Sequence, residues 1–248
     1  MIIAEIGLNH NGKISLLNKI LSNLLDSGVD AITLQIREKK FYKKKRFKRY
    51  FLKNQIFEDV RKKCKLKKIK FGIALADVEK ISFFEKIKVD FIKIIRNDMN
   101  NIKFMSQIFN SKINNIYVST GMSNLRQIGN FLKRAKKTKN KKISLIHTQL
   151  NDKVQNVNLQ SISFLKKKFN REISFGNHCE ELETIFVSLA FRPKSIFFYV
   201  KDNTDSKMTL DKKHSVKIKN IKNLVLKIKN LKKTIGKNYK KKVAKNLI

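Results

Sequence analysis

Apolar residues in this chain follow two alternating patterns: short continuous runs, and longer stretches with apolar positions three or four apart. The first run, Met1-Ile2-Ile3-Ala4-Glu5-Ile6-Gly7-Leu8, enters the turn Asn9-His10-Asn11-Gly12, and residues 15–25 then carry the period of an amphipathic helix. Ser27-Gly28 supplies a helix stop, since glycine accepts the left-handed conformation that ends helices. The unit then recurs. Strands are expected at 30–36, 70–75, 90–95, 115–120, 143–147, 172–176 and 194–200. Between them, helical spacing covers 54–67 and 78–88, then Ile102, Met105, Ile108 and Phe109, and then Leu125, Ile128, Leu132 and Ala135 behind Ser123 as N-cap. It continues in Leu159, Ile162, Leu165 and Phe169, in Leu182, Ile185, Phe186 and Leu189, and in a C-terminal helix at about 215–235 with Ile218, Ile221, Leu224, Ile228 and Leu231 inward.

Eight strands alternating with helices predict the α/β class, and eight parallel strands are the number that closes a (β/α)8 TIM barrel; a doubly wound open sheet is the alternative. In a barrel the chemistry sits where the strands end. The strand-end residues are Glu5, Gln35, Lys93, Ser119, Thr120, His147 and His178. Carboxylate, ammonium, hydroxyl and imidazole together are too polar a set to be interior filler. Taken singly, each has a plainer reading: Glu5 is an exposed residue of an N-terminal strand, and His147 a hydrogen-bonded histidine at a strand end.

Composition leaves this picture largely intact. A hydrophobic fraction of 42% in 248 residues supports a full core, and one proline with eight scattered glycines marks no linker, so a single domain over 1–248 is expected. The formal charge of +38 would attract phosphates and other polyanions. Lysine is accompanied throughout by Ile, Asn and Phe, all of which can be written with A/T-only codons, so genomic bias accounts for much of the excess. Residues 37–53 form the densest basic and aromatic segment, with Phe41, Tyr42, Phe47, Tyr50 and Phe51 among lysines and arginines. Aromatics packing down while lysines face water is preferred there to a nucleic-acid arm, because no recognised nucleic-acid motif accompanies them. Cys64 and Cys179 form no metal-type pair or disulfide framework, and neither a signal peptide nor a run long enough to span a membrane is found. A cytoplasmic protein is expected.

Ile3-Ala4-Glu5-Ile6-Gly7-Leu8-Asn9-His10-Asn11-Gly12 closely resembles the opening of the sialic acid synthase family, which includes N-acetylneuraminate, legionaminate and pseudaminate synthases. Ser119-Thr120-Gly121-Met122-Ser123 is similar to a second family motif. Gly28-Val29-Asp30-Ala31 followed by Gln35, the strand holding Lys93, the strand ending at His147, and Asn177-His178 fall in the family's order. The resemblance implies a barrel transferase for carbohydrate biosynthesis that joins phosphoenolpyruvate to the open-chain aldehyde of an N-acylated amino sugar and releases phosphate. It also implies a divalent metal, Mn2+ or Mg2+, which polarises the aldehyde oxygen. Carried over by position, Glu5 organises the reacting water, Lys93, Ser119 and Thr120 hold phosphoenolpyruvate, Asp98 binds the sugar, Gln35 joins the substrate set, and His178 ligates the metal. A homodimer is a further implication.

Several positions depart from the family pattern. Thr33 stands where a phosphate-binding lysine is expected, Ile73-Ala74-Leu75 replaces Ser-Thr-Pro, and Ile95-Arg96-Asn97-Asp98 replaces Gly-Ser-Gly-Glu. Thr148-Gln149-Leu150 follows His147 in place of Cys-Thr and a polar residue, and Gly176-Asn177-His178 replaces Ser-Asp-His. At the eighth strand the second histidine ligand aligns with Val200, and Phe198 with a glutamate. His214 would compensate only if the chain folds back. The family's C-terminal antifreeze-like domain is expected to be absent. Two functions follow: a synthase of this type, or a catalytically degenerate barrel kept as partner or regulator of a genuine synthase. Specific nucleic-acid binding ranks below both.

Overall fold

A computed structural model of the chain describes residues 1–96, 98–138, 140–204 and 206–236; Asn97 and the end of the expected 1–248 domain lie outside the described residues. The eight expected strands are present: β1 (Ile2–Gly7), β2 (Ala31–Ile36), β3 (Lys70–Leu75), β4 (Phe91–Ile94), β5 (Asn115–Ser119), β6 (Lys142–His147), β7 (Ile173–Gly176) and β8 (Ile196–Lys201). Each pairs in parallel with the next, and β1 pairs with β8 from Ile2 opposite Ile196 to Glu5 opposite Tyr199. The ring is therefore closed, a (β/α)8 TIM barrel, and the open-sheet alternative falls.

Helices α1 (Ile14–Leu25), α2 (Lys39–Lys43), α3 (Asn54–Leu66), α4 (Ile81–Lys86), α5 (Ile102–Asn110), α6 (Leu125–Ala135), α7 (Gln160–Phe169), α8 (Glu183–Ser188) and α9 (Ile221–Thr234) complete the units. The N-cap of α6 lies one residue beyond the expected Ser123. Asn124 accepts from the Gln127 amide at 3.0 Å while its own amide donates to the Gln127 side chain at 2.9 Å, a reciprocal cap that Ser123 could not make with Gln127 at this spacing. The C-terminal helix also starts later than 215. Residues Ser215–Lys217 form a ninth strand, β9, which pairs with β8 at Tyr199, Val200 and Lys201. Tyr199 partners both Glu5 of β1 and Ser215 of β9, and β9 carries the pairing of β8 on to Val200 and Lys201, beyond the last residue that β1 meets.

Apolar side chains divide between two layers. Ile2, Ala4, Ile6, Phe198 and Val200 belong to the large core between sheet and helices, whereas Ile3, Ala31, Phe91, Tyr117, Ile146 and Phe197 plug the barrel interior. Phe91 and Phe197 each meet Tyr117 edge to face, with centroids 5.2 and 5.1 Å apart. The plug leaves the carboxyl ends of the strands for polar groups. In the basic segment after β2 the aromatics are spent on each other: Phe41 and Phe47 stack at 4.2 Å, with the Arg37 and Arg46 guanidinium carbons 4.2 and 4.5 Å over their outer faces.

Gly72 makes room for Phe91, since a Cβ there would lie 2.2 Å from the ring. Gly72→Ala is expected to cost about 1–3 kcal/mol in urea unfolding, and adding Phe91→Leu should recover part of the loss. Equal losses in the single and double variants would disprove this packing account.

Candidate active site

Period-two alternation turns Ile3 and Glu5 of β1 to the inside, and Phe91 and Lys93 of β4 likewise, so the two charges meet above the aromatic plug. Lys93 Nζ donates to Glu5 Oε1 at 2.7 Å and to Oε2 at 2.6 Å. Both side chains are shut from solvent, 5% and 2% exposed. Thr33 Oγ1 approaches Oε1 at 3.4 Å, and the ammonium lies 5.0 and 5.8 Å from the centroids of Phe197 and Tyr199. A charge pair so desolvated is tolerable only because donor and acceptor face each other directly.

Tyr199 corrects the register expected at β8. Val200 belongs to the sheet–helix core, and the inward residues are Phe197 and Tyr199. The position of β8 that faces His178 is thus Tyr199, whose ring lies 5.3 Å from that imidazole, and Val200 never borders the mouth. Likewise Phe198 belongs to the outer layer. Burial, with the charges of Glu5 and Asp211, pushes the Tyr199 phenol well above its usual range.

The chain does fold back. β9 brings His214 against His178, ring centroids 4.7 Å apart, and Tyr199 packs edge-on to His214 at 5.1 Å. His214 Nε2 is buried without a hydrogen-bond partner, 3.7 Å from Asp211 Oδ1. Burial lowers the His178 imidazole well below its usual range and His214 to about 4, with Lys93 adding to both, so each ring is neutral near pH 7. Asp211 moves the other way, up to about 6, through burial and the charge of Glu5. A cavity of about 330 Å³, lined by residues that include Asp152, His178, Leu210, Lys213 and His214, opens beside the imidazoles.

The opening motif holds this arrangement together. Gly7 has a φ of +56°, and a Cβ on it would lie 2.9 Å from the Tyr199 ring, so glycine is required on both counts. Asn9 Nδ2 donates to the Val200 carbonyl at 2.9 Å and to Ser215 Oγ at 3.0 Å, while Asn9 Oδ1 accepts from the Asp211 amide at 3.3 Å. Asn11 Nδ2 donates to Thr209 Oγ1 at 3.1 Å. His10 Nδ1 accepts from the Gly12 amide at 3.1 Å, and its ring packs edge-on to Tyr50, whose hydroxyl donates to the Met208 carbonyl at 2.5 Å. Three loops therefore cross over the mouth. Asn177 adds a tight turn, accepting from the Cys179 amide at 3.3 Å and Thr184 Oγ1 at 3.0 Å, and this turn presents His178.

The other expected site residues are distributed around this centre. Ser119 is buried on the same face of β5 as Tyr117, and the Thr120 hydroxyl donates to the Ile146 carbonyl at 3.0 Å. Gln35 is half-buried at the end of β2. Asp98 is at the rim, paired with Arg96 at 2.9 Å, and Arg96 also reaches Glu38 at 3.2 Å. His147 sits apart from the mouth, its Nε2 2.9 Å from the Val157 carbonyl and its ring 6.4 Å from Phe175 of the outer layer. Tyr199 and Asp211 were not singled out from sequence. Strict alternation from Phe197 would have selected Tyr199, but no local signal marks Asp211 as buried.

A closed barrel with carboxylate, ammonium and imidazole side chains gathered at the carboxyl ends of its strands defines a barrel protein with an enzyme-like mouth. The chain belongs to the NeuB family, whose model matches residues 22–240. It is similar to N,N'-diacetyllegionaminic acid synthase of Campylobacter jejuni, 26% identical with 97% of this chain and 79% of the relative covered. It is also similar to N-acetylneuraminate-9-phosphate synthase of Drosophila melanogaster, 24% identical over 71% of this chain and 53% of the relative. The crystal structure of N-acetylneuraminic acid synthetase from Leptospira borgpetersenii, in complex with citrate, superposes with a TM-score of 0.89 at 24% identity, covering 98% of this chain and 87% of that one. A truncated 3-deoxy-D-arabino-heptulosonate 7-phosphate synthase from Thermotoga maritima shares the fold at a TM-score of 0.74 and 15% identity, covering 95% of this chain and 87% of that one. Among the described residues, no helix is long and apolar enough to cross a membrane.

Lys93→Met would leave Glu5 buried and unpaired and is expected to cost about 3–5 kcal/mol in urea unfolding. Lys93→Met with Glu5→Gln should cost less than the sum of the two single changes; costs that add within about 0.5 kcal/mol would show no coupling. His10 gives a pH test. Burial lowers its imidazole to about 4, so the stability it contributes is present above about pH 6.5 and is lost as pH falls toward 4, by roughly 3 kcal/mol. The stability difference between the wild type and His10→Gln should shrink across that window, which isolates His10 from the other buried histidines. A difference independent of pH would refute the assignment.

Proposed function

We propose that this chain is a sialic acid-type synthase that condenses phosphoenolpyruvate with the open-chain form of an N-acylated amino sugar. The observation that carries the reading is the Glu5–Lys93 pair, buried beside two neutral imidazoles at the end of the barrel where such chemistry resides. The relatives named as legionaminic acid and N-acetylneuraminate-9-phosphate synthases support the same reaction class.

In the overall reaction C3 of the enol attacks the aldehyde carbon, forming one C–C bond. Water adds at C2, the C2–O bond to phosphate breaks, and a 2-keto sugar acid and inorganic phosphate are the products. Lys93 is poised to exchange its bond to Glu5 for the phosphate or carboxylate of phosphoenolpyruvate, since a dianionic ligand competes for the ammonium. That exchange frees the Glu5 carboxylate to orient the incoming water and accept its proton. Ser119 adds a short donor for the same anion, whereas the Thr120 hydroxyl is already spent on the Ile146 carbonyl, and Gln35 and Asp98 lie toward the sugar. With Arg96 already on Asp98, sugar hydroxyls would share that carboxylate rather than hold it alone.

Synthases of this family are generally metal-dependent. The residues present fit a divalent cation such as Mn2+ or Mg2+ in one respect: His178 and His214 are neutral, and His214 Nε2 is buried without a hydrogen-bond partner. Among the described residues no three His, Cys, Asp or Glu side chains already converge on one point, so the cation would keep positions for water and substrate oxygens. A cation there would polarise the aldehyde oxygen.

The second reading, a degenerate barrel acting as partner of an active synthase, draws on the near-complete burial of Glu5 and Lys93 under the crossed loops. Phosphate release from phosphoenolpyruvate, measured with a panel of N-acylated amino sugars and Mn2+ or Mg2+, separates the two. Release should depend on one sugar class and fall at least about 100-fold in Glu5→Gln, assayed well below that variant's lowered melting temperature. No release with any sugar would replace the synthase reading with the partner reading.

A further inference from the structure

The inward residue of β8 that faces His178 is a phenol, not an imidazole, and Val200 is turned away into the helix layer. The second imidazole at the mouth comes from elsewhere. β9 pairs with the end of β8, from Tyr199 to Lys201, and the residue just before β9 is His214. Asn9 fixes that placement by bonding Val200 on one strand and Ser215 on the other, and Ser215 Oγ donates to the Asp211 carbonyl at 2.6 Å, closing the loop that carries both Asp211 and His214. A histidine on a free loop would be a poor ligand; this one is held by strand pairing and a buried amide.

Resting on the synthase reading for its purpose, we propose that His214 is the relocated second imidazole of a divalent-cation site shared with His178. Two observations carry it. The two rings lie 4.7 Å apart, close enough to serve one ion and too tilted, at 39°, to be a simple stack. His214 Nε2 is buried with no hydrogen-bond partner, an unsatisfied polar atom that ordinarily costs stability and that a bound group would satisfy. Asp211 Oδ1 stands 3.7 Å from that nitrogen, beyond a hydrogen bond, so the carboxylate does not satisfy it. The cavity of about 330 Å³ beside His178 and His214 supplies the route of entry. Lys93, Lys201 and Lys213 are the nearby cations; Lys93 is matched by Glu5 and Lys213 by Asp152, and Lys201 donates to the Lys212 carbonyl.

The test is Mn2+ binding to the full chain, followed by electron paramagnetic resonance. The wild type should bind one Mn2+ with hyperfine coupling to two imidazole nitrogens, a readout that needs neither turnover nor any variant. His214→Gln and His178→Gln should each weaken binding at least tenfold and leave a single coupled imidazole, with far-UV circular dichroism unchanged. Binding with one imidazole in the wild type, unchanged binding in His214→Gln, or no binding at millimolar Mn2+ would overturn the site. Phosphate release keeps the two readings apart. Mn2+ held by two imidazoles without release under any condition leaves the site standing and removes the synthase. Release that is undiminished in His214→Gln leaves the synthase standing and removes the site.

Discussion

The bond between Glu5 and Lys93 is the constraint on which the rest of the structure depends. It links β1 to β4 across the interior, three strands apart around the ring, and it does so with both charges removed from water. Such a pair gains from the low dielectric only while the two groups touch, and a slip of one residue in either strand would turn a charge into the apolar helix layer. The aromatic plug of Phe91, Tyr117 and Phe197 excludes water from below, and the crossed loops exclude it from above. Register, plug and loops are therefore conditions for one interaction. That interaction is also the part of the molecule best prepared to meet an anionic substrate.

The opening motif has a larger part in this than delivering Glu5. Gly7 lets Tyr199 approach the first strand, Asn9 joins the ends of β8 and β9, and His10 and Asn11 anchor the loops from β2 and β8. One short segment thus fixes both the acid and the element that brings His214. The polar side chains of this loop act mostly as joints between loops distant in sequence, which is why a turn so near the first residue is almost fully buried.

The excess positive charge lies mostly outside this architecture. Where it is densest, in residues 37–53, arginines flank a pair of stacked phenylalanines and the aromatic faces meet each other, as the packing reading of the segment expected. The organised charges are few and near the mouth: Lys93 on Glu5, and Arg96 between Glu38 and Asp98.

The sequence by itself determined the number and order of the strand–helix units and the arrival of Glu5, Lys93, Ser119 and His178 at strand ends. Apolar runs, helical period and glycine stops are local, so they can be read without knowing what packs against them. Alternation within a strand is also local, yet its phase is not. Tyr199 and Val200 are neighbours at the end of one apolar run, and only the closed barrel decides that the tyrosine faces in. β9 lay inside a helical pattern because three residues carry too little period to separate strand from helix, and only the folded barrel brings the end of β8 beside them. His214 near His178, Asp211 near Glu5 and Asn9 between two strands are contacts across long stretches of chain. Tertiary structure alone decided them, because the burial that makes each one matter exists only once the ring has closed.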